Sequence, residues 1–183
     1  MRVVLIGGTS HTGKSTVAAA VAARLGFELL STDSLARHPG RPWPPADLPR
    51  HVTEHFRSLT AAELVASVLD HYERVWPRIE ELVTRHAARE CGGLVLEGSA
   101  LWPNRVATLT VPHKAMWLTA GEGVLRARIL ANSGHADSTT AQRVLIEKFL
   151  ARTVLFQQRL LADLAAAAGQ PECIDSRAHE RLR

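Results

Sequence analysis

Val3-Val4-Leu5-Ile6-Gly7-Gly8-Thr9-Ser10-His11-Thr12-Gly13-Lys14-Ser15-Thr16 is the stretch that decides the fold. Its first four residues are apolar and mostly β-branched, as suits a strand buried on both faces at the centre of a parallel sheet. From Lys14 to Leu25, the residues Val17, Ala20, Val21 and Leu25 recur at helical spacing, and Gly26 stops the run. A glycine-bounded turn joins this strand to this helix.

Gly8-Thr9-Ser10-His11-Thr12-Gly13-Lys14-Ser15 matches, at every fixed position, the pattern of a glycine, four free positions, then Gly-Lys-Ser/Thr. A loop of that length can wrap a phosphate with consecutive backbone N–H groups, because glycine accepts positive φ and leaves no side chain in the way. The helix behind it points its N-terminal dipole at the same anion. Lys14 is then expected to reach the β- and γ-phosphates and Ser15 to ligate Mg²⁺, with Thr16 counted among the nucleotide-binding residues. The expected ligand is ATP with Mg²⁺.

Working outward, Phe27–Ser31 reads as a second strand. Asp33–Leu59 carries prolines at 39, 42, 44, 45 and 49, which argue for an irregular excursion over the sheet edge. Thr60-Ala61-Ala62-Glu63 is a capping box opening a long helix with Leu64, Val68, Tyr72, Val75, Ile79 and Leu82 or Val83 as its apolar stripe. Pro77 should kink or divide that helix. Leu94–Leu96 and Ala115–Leu118 read as strands three and four, Gly121–Ala131 as a short helix, and Asn132–Thr140 as a polar, flexible stretch. Ala141–Ala168 is a second long helix ending at Gly169, and Glu172–Ile174 a last strand. Strands alternating with helices imply a parallel sheet with helices on both faces.

The 183 residues suffice for one α/β domain with a full core. Cys91 and Cys173 lie far apart, so neither a disulfide framework nor a thiolate metal site is indicated, and the nine histidines lack metal-ligand spacing. No segment reaches the roughly 18 continuous apolar residues of a membrane span. The expectation is a soluble, cytoplasmic protein without a membrane partner. A net charge of +4 comes from scattered arginines without an aromatic-interleaved basic stripe, which argues against nucleic acid and is equally met by small anionic substrates. Oligomeric state is not legible.

Two acids sit where strands should end. Asp33 follows the second strand in Leu29-Leu30-Ser31-Thr32-Asp33, and ligand sites of parallel sheets gather at such carboxyl ends. A carboxylate there can take the proton of an attacking hydroxyl or hold it in line; a turn aspartate is the alternative. Glu97 ends the third strand, where an acid can order Mg²⁺ or orient the nucleophile. Charge on a transferring phosphoryl group calls for arginine. Arg128, Arg126 and Arg143 frame a candidate lid at about 131–143, with Arg128 the first choice. His38-Pro39-Gly40-Arg41-Pro42-Trp43-Pro44 mixes a cation, a flat aromatic and rigid backbone, as suits a substrate-recognition loop or a stiff surface loop. Arg37, Arg41, Trp43, Asp33 and Glu97 are the candidate acceptor contacts.

At these residues the chain resembles the nucleoside-monophosphate-kinase-like branch of P-loop kinases, which includes adenylate, shikimate and gluconate kinases. Ser31-Thr32-Asp33 with Leu35 and Arg37 is similar to the segment where those enzymes bind the phosphoryl acceptor. Asp33-Ser34-Leu35 looks like a segment of chloramphenicol phosphotransferase whose aspartate serves as base. Leu96-Glu97-Gly98 through Pro103, and Glu147-Lys148-Phe149-Leu150 with Arg152, look like 2-phosphoglycerate kinase-type proteins. The resemblance implies a three-layer P-loop fold with a five-stranded parallel sheet in order 2-3-1-4-5 and a small lid. It also implies adenine contacts near Asp175-Ser176-Arg177. Lids of this kind often carry a second arginine about four residues after the first; Asn132 stands there instead.

The leading expectation is therefore an ATP-dependent phosphotransferase acting on a small-molecule hydroxyl. Two others stand beside it: a nucleotide (monophosphate) kinase, for which Arg37, Arg41 and Arg57 supply cations, and an ATP-binding regulatory module with little turnover.

Overall fold

The computed structural model describes residues 2–36, 38–43, 48–89 and 92–166, together with the backbone of 172–175. Strand β1 (Val3–Gly8) is buried along its whole length. It lies between β3 (Leu94–Glu97) and β4 (Lys114–Thr119), parallel to both. The outer neighbour of β3 is β2 (Glu28–Ser31), and the backbone of β5 (Glu172–Asp175) pairs with β4, giving the order β2-β3-β1-β4-β5.

Alternation along β1 explains why its apolar run is unbroken. Val3 and Leu5 face a core shared with Leu94, Leu96 and the long helices α3 (Ala61–Ala87) and α6 (Thr140–Ala166). Val4 and Ile6 face the other way, onto Ala18 and Ala22 of α1 (Lys14–Leu25), together with Val95 and Leu118. Both faces are dry, so both residue parities must be apolar.

A third cluster is built by helices and loops alone, without a strand residue. Here α2 (Arg50–Ser58) contributes Val52 and Phe56, α5 (Glu122–Ser133) contributes Ile129, and α6 contributes Leu145, Ile146, Phe149 and Leu150. Helix α2 corrects the reading of Asp33–Leu59 as irregular throughout. Its cap is Pro49, whose missing N–H falls where no intrahelical bond would form. Pro77 lies inside α3, which runs on undivided through it. The capping box at Thr60 and Glu63 forms in both directions. The stretch after Ala131 is more ordered than its composition suggests: α5 continues to Ser133, and a single 3-10 turn, His135–Asp137, follows. A four-residue helix, α4 (Pro103–Val106), has no counterpart in the sequence reading. Among the described residues no helix is long and apolar enough to cross a membrane.

One buried amide ties α6 to the sheet. Gln157 of α6 donates to the carbonyl oxygen of Ala120 at 2.7 Å and accepts from its backbone N–H at 3.2 Å, satisfying both groups where β4 ends. Gln157→Ala leaves those groups buried without partners, which costs about 1–3 kcal/mol. Urea denaturation should show a lower midpoint at an unchanged slope; an unmoved midpoint would contradict this role for the clamp.

Candidate active site

The turn after β1 takes the conformation its glycines permit. Gly8 has φ +128° and Gly13 φ +94°, both left-handed-side values that penalise a side chain. A Cβ on Gly8 would also run into the backbone oxygen of Leu118. His11, with φ +63°, is the one non-glycine residue of positive φ among the described residues. The Thr12 hydroxyl closes the turn by donating to the Thr9 carbonyl at 2.9 Å.

Lys14 is 8% exposed, and its Nζ donates to the same Thr9 carbonyl at 2.7 Å. Burial pulls its amine down to about 8, while the Glu97 and Asp33 carboxylates work against that shift and Arg41 adds to it. Glu97 shares the parity of Val95 and so turns to the sheet face that α1 covers. Its Oε1 accepts from Ser15 Oγ at 3.2 Å, although the two residues lie 82 positions apart. Glu97 is itself 8% exposed. A hydroxyl and a carboxylate converging at the head of a phosphate loop offer the hard oxygen donors that Mg²⁺ takes. Thr16 is exposed on the first turn of α1.

The register Ser31↔Glu97 sets the tips of β2 and β3 side by side. Ser31 Oγ accepts from the backbone N–H of Asp33 at 3.3 Å, starting the 3-10 turn Thr32–Ser34 and presenting Asp33 exposed beyond the strand. From there a cavity of about 750 Å³ reaches from Ser10 of the loop, past Asp33, to α3 and α6. Arg41 and Trp43 line it. Trp43 packs edge-on against Phe149 at 4.8 Å between centroids. The excursion that the prolines announced is thus one wall of this chamber. Arg57 is exposed and does not line the cavity.

The three lid arginines separate. Arg128 Nη1 donates to the carbonyl oxygen of His11 at 3.1 Å and so reaches the phosphate loop. Arg126 instead pairs with Glu147 at 3.3 Å on the surface. Arg143 holds the carbonyls of His135 and Ala136, bracing the 3-10 turn. Asn132, in the position where a second arginine was looked for, accepts through Oδ1 from Trp43 Nε1, and the same oxygen lies 3.4 Å from His11 Nε2. It thereby joins the phosphate loop, the excursion and α5. Arg37, Ser176 and Arg177 lie outside the described residues, so the acceptor and adenine contacts assigned to them have no structural counterpart here.

Among the chamber residues not assigned to the site in sequence are Tyr72, Ser99 and Arg152. Tyr72, assigned only to the apolar stripe of α3, lines the cavity, and burial raises its phenol to about 12. Ser99 follows Gly98 on the same wall. Arg152 is 7% exposed and stacks on Phe149 at 4.9 Å. Its signal was available: Phe149, Arg152 and Phe156 stand at helical spacing, placing a cation on the buried face of α6.

No protein-family model matches the chain, and neither does any curated protein. Solved structures do. A gluconokinase from Sinorhizobium meliloti is 20% identical with a TM-score of 0.56, over 96% of this chain and 82% of that one. A sugar kinase from Janibacter is 20% identical at 0.54, over 97% and 86%. A deoxyadenosine kinase from M. mycoides with bound dATP is 12% identical at 0.54, over 96% and 91%. The chain has the P-loop kinase fold. At these identities the likeness speaks for the fold, and the geometry above must carry the chemistry.

The lowered Lys14 amine makes anion binding depend on pH in a definite direction. The charged amine is the binding form, and a polyphosphate beside it favours that form. Affinity is therefore complete below about pH 8 and falls as pH rises through that value. Calorimetric titration of inorganic tripolyphosphate should weaken several-fold between about pH 7 and pH 9. Lys14→Ala should bind weakly and without that step; the same pH step surviving in the variant would remove Lys14 as its cause.

Proposed function

We propose that the protein is an ATP-dependent phosphotransferase that moves the γ-phosphoryl group of Mg·ATP to a hydroxyl of a small molecule. The observation that carries this reading is the continuity of one chamber from the phosphate loop to an acid just beyond a neighbouring strand, with Ser10 and Asp33 both lining it. A binding module needs the loop but has no use for an acceptor chamber beside it. The kinase fold of the structural neighbours supports the same class of chemistry.

In this reading the loop amides of Gly8–Ser15 and the Lys14 amine hold the β- and γ-phosphates. Ser15 and Glu97 would hold Mg²⁺, which when bound neutralises charge on the phosphate oxygens. Asp33 faces the acceptor, orients its hydroxyl and takes its proton as the oxygen attacks the γ-phosphorus. The bond from that phosphorus to the bridging oxygen breaks, ADP leaves, and the phosphate ester remains. Arg128, fixed to the turn at His11, supplies positive charge at the transferring group. The lid at about 131–143 and the excursion at about 33–60 would close over the substrates, and the whole chain 1–183 would act as one kinase domain. A cytoplasmic setting follows from the need for ATP.

Asp33→Asn keeps the size of the side chain and removes the proton acceptor. Turnover, followed as ADP release with an active acceptor, should fall by about 10²–10⁴-fold, while the dissociation constant for Mg·ATP stays within a factor of about 2 on the scale of lost contacts. Full turnover in this variant would take Asp33 out of the mechanism. ATP binding with no acceptor-stimulated turnover, across polyols, hydroxy acids and nucleoside monophosphates, would favour a regulatory module instead.

A further inference from the structure

The chamber holds polar hydrogens that the protein leaves without acceptors. Arg152 Nε and Nη1 are fully shielded from solvent and have no hydrogen-bond partner. Its guanidinium makes no ion pair among the described residues; Asp33 and Tyr72 are the groups that favour its charge, and burial opposes it. His38, whose ring feels the Arg152 charge, is in the same state. Its Nδ1 accepts from the Gly40 N–H at 3.3 Å, so the ring proton of the neutral imidazole sits on Nε2. That Nε2–H is buried and unpartnered too. Both residues line the cavity.

Natural interiors rarely leave such donors unmatched, and an obligate charge without a counter-ion is the most costly case. The surroundings narrow what could match them. Besides Arg152, the His38 ring faces His71 at 5.1 Å and His55 at 5.6 Å, with the Arg74 charge also felt. His55 Nε2 is a further buried atom without a partner. Cations and neutral donors converge, and a bound cation would be repelled. What fits is a group that only accepts hydrogen bonds and carries negative charge.

We propose that Arg152 and His38 form an anion subsite of the acceptor chamber, so that the molecule phosphorylated here carries a carboxylate or phosphate group besides its reactive hydroxyl. The substrate-class assignment rests on the phosphotransferase reading; the subsite itself does not. The anion seats against the planar edge of Arg152, with Nε and Nη1 donating, and His38 adds a neutral donor from the excursion. Phe149 under the guanidinium fixes its plane. The hydroxyls of a neutral sugar or polyol could accept from these donors but bring no charge to balance the buried Arg152, so such a molecule is disfavoured as an acceptor.

The test separates the subsite from catalysis. The whole protein is first saturated with a non-hydrolysable Mg·ATP analogue, so that the phosphate loop is filled. Inorganic phosphate and acetate are then titrated in separate arms and followed by thermal shift and chemical-shift changes. At least one anion should bind, the phosphate arm pointing to a phosphate ester as substrate group and the acetate arm to a carboxylate. Arg152→Met should weaken binding by about tenfold or more, with the analogue still bound as proof of folding. Arg105→Met, altering an exposed arginine that is paired with Glu73 and does not line the cavity, should leave it unchanged. Should Arg152→Met lose the analogue as well, His38→Phe decides, with weaker anion binding and intact analogue binding expected. No binding of either anion to the unaltered protein, or equal binding in the folded Arg152→Met and His38→Phe variants, overturns the proposal. Anion binding that persists in a protein unable to transfer phosphate to any acceptor sinks the kinase reading and leaves the subsite standing.

Discussion

The site depends on β1 being sealed on both faces. A strand with Val3 and Leu5 in one core and Val4 and Ile6 in another cannot shift register or tilt without opening one of them. Its end is therefore fixed in three dimensions, and with it the point where Gly8 leaves the sheet. The same pairing aligns Ile6 with Glu97, and β3 in turn aligns Glu97 with Ser31. The phosphate loop, Glu97 and Asp33 come together because the ends of three neighbouring parallel strands lie side by side, and none of these is near another in sequence.

Helix α6 carries the second half of the arrangement. Its C-terminal part is pinned to the sheet, with Gln157 clamped on Ala120 and Phe156 and Leu160 in the main core. Its N-terminal part presents Leu145, Ile146 and Phe149 to α2 and α5. Arg152 lies between the two regions. A helix held at both ends gives little freedom to the residue in its middle, so a guanidinium there is positioned without needing a partner of its own. On the side of α5, Asn132 reaches Trp43 at 3.4 Å, near the long end of what counts as a hydrogen bond.

What could be read in the sequence was what local pattern determines. The phosphate loop, the double-faced strand and the capping box at Thr60 each announce themselves within a dozen residues. Helix α2 did not, because five prolines dominate its surroundings; yet Pro49 stands just before the first turn, where proline is harmless, and the helix is held by Val52 and Phe56 packing on distant partners. Pro77 does not divide its helix, since one lost backbone bond inside 27 residues is outweighed by the buried stripe from Leu64 to Val83. The loop could be read from its own residues, whereas the acceptor chamber could not. Its walls come from the β2 tip, the excursion, α3 and α6, and only folding brings Asp33, Tyr72 and Arg152 to one space.

Charge shows the same limit from another side. The formal +4 and the scatter of arginines say little, because most of those side chains are solvated and screened. The two cations that matter are nearly invisible in that sum: Lys14 at 8% exposure and Arg152 at 7%. Each is desolvated, and each feels the Asp33 carboxylate without being paired to it. In low dielectric, two such charges coupled to one acid make a field that a substrate with two anionic groups would satisfy. The phosphate of the nucleotide would meet the first and the anion of the acceptor the second. That order would leave the reacting hydroxyl between them, beside the Asp33 carboxylate.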